Sequence, residues 1–234
     1  TDTREDNVSC KLSRCSRGRF RLLVAENEFA TPAWFHGKTM YHIFVDRFSP
    51  RGGERPEGAI YHEGWHEEIE QFGAYPGAPV ANDVFFGGNL WGVAEKLDYL
   101  ASLGVKVIYL SPIFEAYSNH KYDTGNYEKV DAMFGGDAAL KKLLEEADRR
   151  GIKVILDGVF NHTGSDSIYF NKNNRYDTVG AYNSESSEYC GWYGFREYPD
   201  SYECWWDIEI LPRLNHENES CRRYFTGEKG IGRK

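Results

Sequence analysis

The chain has 234 residues and carries 28 Lys and Arg against 36 Asp and Glu, so its net charge is −8 at pH 7 with histidine neutral. Hydrophobic residues make up 41% of the chain and aromatic residues 15%, which excludes a disordered or fibrous protein. The negative charge argues against nucleic acid as a partner. The absence of an apolar run of about 18 residues argues against a membrane partner.

The cysteine count favours a reducing compartment. Five cysteines cannot all pair within one chain, so a complete disulfide framework is excluded. The spacing of Cys10 and Cys15 is too wide for the usual zinc knuckle. We therefore interpret the thiols as packing residues and predict a cytoplasmic rather than a secreted protein.

The first predicted elements are a strand and an amphipathic helix. Residues 41–45 form a short apolar run that is typical of a buried strand. Between residues 91 and 103 the apolar side chains recur at steps of three and four, which predicts a helix. Asn89 is placed to cap the start of this helix, and Gly104 is placed to end it.

Two further strands and a second helix follow. Residues 105–110 and 152–156 are rich in Val, Ile and Leu, as strands buried on both faces are. Asp137 is predicted to cap the helix between them, and Gly151 to end it. The predicted apolar face of this helix comprises Leu140, Leu143, Leu144 and Ala147.

An internal repeat indicates the fold class. Two similar heptapeptides begin at Gly104 and Gly151, and each is entered from an amphipathic helix through a single glycine. Alternating helices and doubly buried strands predict an α/β protein with a parallel sheet, open or closed. Only three such strands are recognisable in the sequence, whereas a closed (β/α)₈ barrel needs eight. We therefore expect the chain to stop partway through its domain.

Long loops follow the predicted strands, and α/β folds place their functional sites in such loops. After the third strand, Asp157, Asn161 and His162 bring a carboxylate, an amide and an imidazole to one strand end. The alternative is that Asp157 forms a cap or an ion pair and that His162 is a hydrogen-bonded loop residue. The three loops span residues 46–90, 111–136 and 158–215.

A second polar stretch follows the second strand. Residues 118–127 include His120, Tyr122 and Asp123. Because successive parallel strands end at the same edge of a sheet, we expect this loop to face the Asp157 cluster. The same residues could also form only a hydrogen-bonded turn.

Aromatic residues are concentrated after the third strand, where twelve lie between residues 169 and 206. Flat apolar rings with polar edges suit the C–H faces of sugars. Aromatic side chains can equally form the core of a small domain. We expect most of the twelve to form such a core and two or three to face a ligand.

Five motifs, taken together and in order, resemble the α-amylase family of glycoside hydrolases, above all its neopullulanase, cyclomaltodextrinase and amylopullulanase branch. The resemblance covers roughly residues 30–226 and implies a partial (β/α)₈ barrel with a small domain inserted after strand three. The motifs are YHIFVDRF at 41–48, GVKVIYLSP at 104–112, HKYDT at 120–124 with Tyr127 and Val130-Asp131, DGVFNH at 157–162, and LPRLN at 211–215. The implied segments are a β-sandwich tail or linker (1–30), three β/α units (31–158), the aromatic-rich inserted domain (159–215) and the start of the next helix (216–234).

The resemblance also implies roles for single residues. Tyr122 is similar to a tyrosine that stacks under the sugar at the cleaved subsite, and His162 to a histidine that hydrogen-bonds its hydroxyls. Asp157 is similar to a carboxylate that orients an arginine beside the nucleophile. His120 and Asp123, in the motif of Tyr122, are expected to bind substrate as well.

The bond-breaking residues are not found. Retaining glycosidases use two carboxyl groups about 5 Å apart. The family carries them at strands four and five, and no nucleophile motif occurs between Asn215 and Lys234. We therefore expect the chain alone to be inactive.

A structural calcium ion is a further expectation from the resemblance. Asn161 matches a calcium ligand in many family members. In the neopullulanase-like branch the ion usually sits near the first strand, but the loop at 49–54 lacks the expected Asp or Asn ligands and Asn89 stands where an aspartate is common.

The sequence thus favours part of a bacterial retaining enzyme that hydrolyses or transfers α-glucosidic linkages of malto-oligosaccharides, pullulan or cyclodextrins. The full-length protein is expected to need no cofactor and could be a homodimer. The rival hypothesis is a non-catalytic carbohydrate-binding or interaction protein built on the same scaffold.

Overall fold

The computed structural model describes residues 2–3, 10–11, 31–52, 59–62, 64–66 and 82–233. The chain divides into two units, Thr1–Gly37 and Lys38–Lys234. In the first unit, strands β1 (Asp2–Thr3) and β2 (Cys10–Lys11) pair antiparallel. Most of the segment predicted to be a β-sandwich tail or linker lies outside the described residues.

The described part of the second unit contains nine further strands and four α-helices. The strands are β3 (Thr39–Ile43), β4 (Ile60–Tyr61), β5 (Val84–Phe85), β6 (Val105–Leu110), β7 (Phe114–Ala116), β8 (Thr124–Val130), β9 (Lys153–Leu156), β10 (Phe195–Glu197) and β11 (Ser201–Tyr202). The helices are α1 (Leu90–Glu95), α2 (Leu97–Ser102), α3 (Gly136–Arg149) and α4 (Glu219–Thr226). Among the described residues, no helix has the length and apolar character needed to cross a membrane.

A parallel three-stranded sheet in the order β3-β6-β9 organises this unit. The predicted strand at 105–110 is confirmed at both ends. The first strand begins two residues earlier than predicted and ends at Ile43, because Val45–Arg47 turns into a 3₁₀ helix. The third strand begins at Lys153 rather than Ile152. The sheet is not closed within the described residues, so the structure shows part of the predicted barrel.

Helices α1, α2 and α3 cover one face of the sheet. Their buried aliphatic side chains pack against Ile43, Ile108 and Leu110 of the strands. The opposite face carries the other parity of residues, including Tyr109, which pairs in register with Ile155. The helix-covered face is therefore the core. Side chains on the opposite face, such as that of Tyr109, are available to a site at the strand ends.

The predicted helix at 91–103 is two helices. Helix α1 ends at Lys96, whose N–H is shared by the carbonyls of Gly92 and Val93, and α2 follows at once. The predicted cap is confirmed, because the Asn89 side chain accepts a hydrogen bond from the Gly92 N–H. Gly104 has a φ of +78°, which glycine adopts without strain.

Helix α3 corrects two predictions. Its N-cap is Gly135 with a φ of +94°, whereas Asp137 lies in the first turn and accepts a hydrogen bond from the Val130 N–H at 3.2 Å. A side chain at Gly135 would meet the Trp91 indole at 2.5 Å, so this start of the helix needs glycine. Leu144, predicted to be buried, is 43% exposed because the buried face runs through Ala139, Leu143 and Ala147.

The loop predicted at 111–136 contains an antiparallel hairpin of β7 and β8. The segment after β9 forms an aromatic cluster, in which five of the twelve aromatic residues are buried and three are partly buried. Its two ends meet, since the Leu214 N–H donates to the Asn161 carbonyl at 2.9 Å and the Thr163 N–H to the Pro212 carbonyl at 3.2 Å. The expectation that most of these rings form a core is confirmed. The eight are Tyr169, Phe170, Tyr182, Tyr189, Trp192, Tyr193, Phe195 and Tyr202.

Candidate functional site

The ends of β6 and β9 bring Asp157 next to two tyrosines. Its Oδ2 accepts a hydrogen bond from the Tyr109 hydroxyl at 2.5 Å and from the Tyr122 hydroxyl at 3.2 Å. Tyr109 lies opposite Ile155, and Asp157 is two residues further along, so both side chains lie on the same face of the sheet. The parallel register of the two strands therefore creates the contact.

Both phenols act as donors to this carboxylate. Burial, followed by the hydrogen bond to Asp157, raises the pKa of Tyr109 to about 12. Burial and then the charge of Asp157 raise the pKa of Tyr122 as well. The two hydroxyls therefore stay protonated at neutral pH and hold the Asp157 carboxylate in one position.

His162 fixes the backbone of the Tyr122 loop. Its Nε2 lies 3.1 Å from the Tyr122 carbonyl oxygen, which can only accept, so Nε2 carries the proton. Its Nδ1 then accepts from the Asn161 side-chain amide at 3.2 Å. Burial lowers the pKa of His162, which favours this neutral form. A sugar hydroxyl that bonds His162 must share or replace one of these two partners.

His120 supports Tyr122 from the other side. Its Nδ1 accepts a hydrogen bond from the Tyr122 N–H at 3.1 Å, and the two rings lie 5.8 Å apart. Burial lowers the pKa of His120, so the neutral ring with an acceptor at Nδ1 is favoured. His120 and His162 thus hold the backbone N–H and the carbonyl of Tyr122, whose side-chain hydroxyl bonds Asp157.

A buried lysine anchors the same loop. Lys121 is fully buried and has a φ of +60°, a conformation that is costly for a residue with a side chain. Its Nζ lies 2.7 Å from Asp131 Oδ2 and donates to the Ala116 carbonyl at 2.8 Å. The rings of Phe85 and Phe134 lie 5.2 and 5.5 Å from the ammonium. These contacts hold a backbone from which Tyr122 points outward, 38% exposed.

The site opens into a cleft of about 710 Å³. Part of its wall is polar and part is apolar, and the Trp205 ring is stacked on that of His162 at 5.2 Å and 29°. Asp157 is the single acidic side chain among the described residues that line the cleft. Its lining comprises Asn82, His120, Tyr122, Asp157, Gly158, Val159, Phe160, Asn161, His162, Trp205, Ile208, Ile210 and Leu211.

The structure brings four of the five predicted residues together, and it does not bring Asp123 into the cleft. Asp123 is 8% exposed, and its carboxylate accepts from the N–H and the hydroxyl of Ser118. It lines a second cavity of about 610 Å³ together with Glu115 and Tyr176. Its position in the fold is that of a loop anchor behind Tyr122.

Sequence reasoning missed Tyr109 and gave Trp205 no specific role. Tyr109 could have been found from the parity of residues along β6, once its register with β9 is known. Trp205 reaches the cleft because Cys204 bridges Pro212 at the far end of the inserted segment. That bridge is local, but its place beside the cleft depends on the bridge between His162 and Arg213, which no local sequence signal reports.

Asn161 and Asn89, the residues considered for calcium, both use their side-chain amides in internal hydrogen bonds, and the calcium site stays a prediction. The Asn161 amide donates to His162 Nδ1. The Asn89 amide donates to the Arg51 carbonyl at 2.7 Å, while its oxygen accepts from Gly92 N–H, so an N–H faces the carbonyl that a cation would need. No group of three or more His, Cys, Asp or Glu suited to a metal occurs among the described residues.

The geometry suits a neutral, hydroxylated ring. Tyr122 and Trp205 offer ring faces and edges for C–H groups, and the Asp157 carboxylate offers an acceptor for hydroxyls. A second carboxylate, which retaining cleavage of a glycosidic bond requires, is not among the described residues that line this cleft. Among the described residues, the cleft therefore holds one acid and no pair of acids for cleavage with retention.

Similarity to known proteins agrees with this geometry. An amylopullulanase from Thermoanaerobacterium saccharolyticum is 42% identical over 224 residues, which cover 86% of this chain and 17% of that protein. Neopullulanase 2 from Thermoactinomyces vulgaris is 33% identical over 97% of this chain and 38% of its own length. The chain therefore spans well under half the length of these relatives.

Solved structures give the same result. The cyclic α-maltosyl-(1→6)-maltose hydrolase from Arthrobacter globiformis, in complex with that sugar, has 28% identity and a TM-score of 0.68 over 83% of this chain and 41% of the other. The type III pullulan hydrolase from Thermococcus kodakarensis has 33% identity and a TM-score of 0.68 over 82% and 35%. The alpha amylase catalytic domain matches residues 42–227. The chain belongs to the α-amylase family.

Proposed function

We propose that the full-length protein hydrolyses or transfers α-glucosidic linkages of malto-oligosaccharides, pullulan or cyclodextrins with retention of configuration. In this proposal the present chain supplies residues that hold the sugar at the cleaved bond. The group formed by Tyr122, Asp157 and His162 at one edge of the parallel sheet carries the proposal. The names of the relatives, which include an amylopullulanase, a neopullulanase and a cyclomaltodextrinase, support the substrate class.

Each of the three residues has a part in binding. Tyr122 presents an exposed ring on which a sugar C–H face can stack. Asp157, already oriented by two tyrosine hydroxyls, accepts from a sugar hydroxyl or an arginine. His162 donates to a hydroxyl when its bond to the Tyr122 carbonyl is shared or exchanged. Water exclusion by the apolar wall strengthens each of these contacts.

Calorimetric titration of the chain with maltohexaose tests the binding part of the proposal. We expect measurable affinity that Tyr122→Ala abolishes and Tyr122→Phe reduces only in part, because phenylalanine keeps the ring face. Tyr99→Ala is the matched control, since Tyr99 is 54% exposed on α2. Absence of binding by the wild-type chain, or equal loss in the control, would contradict the assignment.

The catalytic part needs a second assay. The chain alone should not hydrolyse maltotriose, pullulan or cyclodextrin, because general acid/base and nucleophilic steps lack a second carboxyl group in this cleft. The full-length protein should release products of retained anomeric configuration, followed by proton NMR. Turnover by the chain that Asp157→Asn abolishes would show that the catalytic pair is misplaced here.

A non-catalytic carbohydrate-binding protein is the second candidate, favoured by the single acid that lines the cleft. It predicts binding without turnover in the full-length protein.

The bacterial origin, the cytoplasmic location and the homodimer stay predictions. An intracellular maltogenic amylase from Bacillus subtilis, 35% identical over 88% of this chain and 32% of its own length, supports the location. Light scattering of the full-length protein tests the dimer.

A further inference from the structure

Trp206 is the most exposed large hydrophobic side chain among the described residues, at 81%. Its backbone has a φ of 50° and a ψ of 35°, and Asp207 follows with a φ of 57°. Two consecutive non-glycine residues in the left-handed region are costly in free energy. Exposure to water is unfavourable for an indole, and this backbone conformation is unfavourable for tryptophan. Neither therefore explains why a tryptophan occupies this position.

The segment that carries Trp206 is held at both ends. The Trp205 N–H donates to the Leu211 carbonyl at 3.0 Å, and the Ile208 N–H donates to the Trp205 carbonyl at 3.0 Å. In the middle, the Tyr202 hydroxyl donates to the Glu209 carbonyl at 3.1 Å, and Lys172 pairs with the Glu209 carboxylate. Trp206 is thus presented on a closed loop rather than on a free end.

Three rings stack in series from the cleft to solvent. The Trp205 ring lies 5.2 Å from the ring of His162 and 4.6 Å from that of Trp206, with an angle of 8° between the two indoles. Trp205 therefore stacks with both the His162 ring and the Trp206 ring. Trp206 uses one face against Trp205 and leaves the other free.

We propose that the free face of Trp206 stacks on a glucose unit of an α-glucan outside the cleft, so that long chains bind more tightly than short ones. The proposal rests on the proposed function, because the same oligosaccharide occupies the cleft beside His162. A rigid ring placed in advance loses little entropy on binding, which makes it an efficient contact.

The charges around Trp206 select the chemistry of the ligand. Asp207 follows it directly, and Glu203 and Glu209 lie on the same loop and its base. Lys172 is already paired with Glu209, and Arg213 lies 3.9 Å from Glu203, so Asp207 leaves this group of charges net negative. A net negative charge repels phosphates and acidic sugars, whereas a neutral glucan carries no charge to be repelled. A neutral sugar face is therefore the occupant that this surface favours over a nucleotide.

Titrations of the chain with maltose, maltotriose and maltohexaose test the proposal. In the wild type we expect affinity to rise with chain length. Trp206→Ala should weaken maltohexaose binding on the order of tenfold and leave maltose binding unchanged, because only the long chain reaches the outer ring. Trp206→Phe should keep most of the affinity, since it keeps a ring.

Two further variants separate the ring from the backbone. Trp206→Gly tolerates the left-handed conformation, so loss of affinity equal to that of Trp206→Ala would assign the effect to the ring. Tyr99→Ala should bind as the wild type does. The role of Trp206 is overturned if Trp206→Ala binds maltohexaose as tightly as the wild type does. It is also overturned if Trp206→Ala weakens the binding of maltose and of maltohexaose equally. In either case the proposed binding in the cleft is unaffected. If the wild type binds none of the sugars, the proposed function and this inference both fail.

Discussion

The loops that carry Lys121 and Trp206 each hold a non-glycine residue in the left-handed region and differ in the surroundings of its side chain. Lys121 has a φ of 60° and is fully buried, whereas Trp206 has a φ of 50° and is 81% exposed. Lys121 has an ion pair, a carbonyl acceptor and two rings to offset the backbone cost. Trp206 has one stacked ring. The first loop is thus explained by the fold, and the second calls for a ligand.

The largest expected effect separates the two loops by stability. Lys121→Met leaves the Asp131 carboxylate buried without its cation, which should cost about 3 to 5 kcal/mol of unfolding free energy. Asp131 keeps the N–H groups of Ala116 and Met133, so the lower end is expected. Denaturant melts measure the effect, and Trp206→Ala should melt as the wild type does.

A double variant sharpens this prediction. Lys121→Met combined with Asp131→Asn removes both charges and should recover part of the lost stability, because no unpaired ion remains. Lys121→Gly relaxes the backbone but removes the ammonium. If it proves as stable as the wild type, the comparison fails, since the strain and not the ion pair would then dominate.

The second effect concerns activity of the full-length protein. His162→Ala should lower kcat/KM by about tens- to thousands-fold, as removal of a transition-state hydrogen bond costs roughly 2 to 4 kcal/mol. Tyr122→Ala should lose the stacking face in addition. The measurement is kcat/KM per folded enzyme, with the folding stability of each variant taken from thermal melts. Earlier melting with a normal kcat/KM in the folded fraction would show a purely structural role for these residues.

Local signals in the sequence predicted much of the fold. Asn89 as a cap, Gly104 as a helix end and the strand at 105–110 depend on nearby residues, so spacing alone reports them. The grouping of Tyr122 and Asp157 also followed, because parallel strands end at one edge.

The remaining features depend on contacts that are distant in sequence. A lysine is expected at the surface, so the burial of Lys121 becomes visible only with Asp131 and the aromatic rings in place. Trp205 lies at the cleft because His162 bridges Arg213, a residue that is distant from it in sequence. Asp137 is not the N-cap that was predicted, because the helix is capped by Gly135 in a left-handed conformation. The residue preference for aspartate at a cap does not indicate this earlier start.

The stability of the fold should depend on pH through His162 and His120, which bond the Tyr122 backbone next to Lys121. Trp206 does not titrate and should not contribute. Burial lowers the pKa of His162 and His120 below the usual 6.5, so the folded state prefers neutral imidazoles. The unfolded chain then binds protons first as the pH falls. Stability is complete above about pH 6.5 and declines as the pH drops toward the lowered pKa values.

Thermal melts across this range measure the decline. His162→Gln, which can donate to the Tyr122 carbonyl but cannot titrate in this range, should flatten the profile. Trp206→Ala should keep the wild-type profile. A profile that His162→Gln leaves unchanged would assign the proton uptake to other groups, His120 first among them.

Asn89, like Lys121 and unlike Trp206, is explained by internal contacts, and its replacement should change stability least. It is 5% exposed, donates to the Arg51 carbonyl at 2.7 Å and accepts from the Gly92 N–H at 2.8 Å. Asn89→Ala should cost about 1 kcal/mol, the usual loss for a helix cap. Asn89→Asp keeps the cap and loses the donor. Its unfolding free energy in denaturant melts should therefore lie between those of the wild type and Asn89→Ala. Because the amide already occupies the Arg51 carbonyl, we predict that neither calcium nor EDTA shifts the Tm of the wild type. A Tm that falls when EDTA is added would show instead that a cation holds this loop, and Asn89 would then resemble Trp206 in needing a ligand.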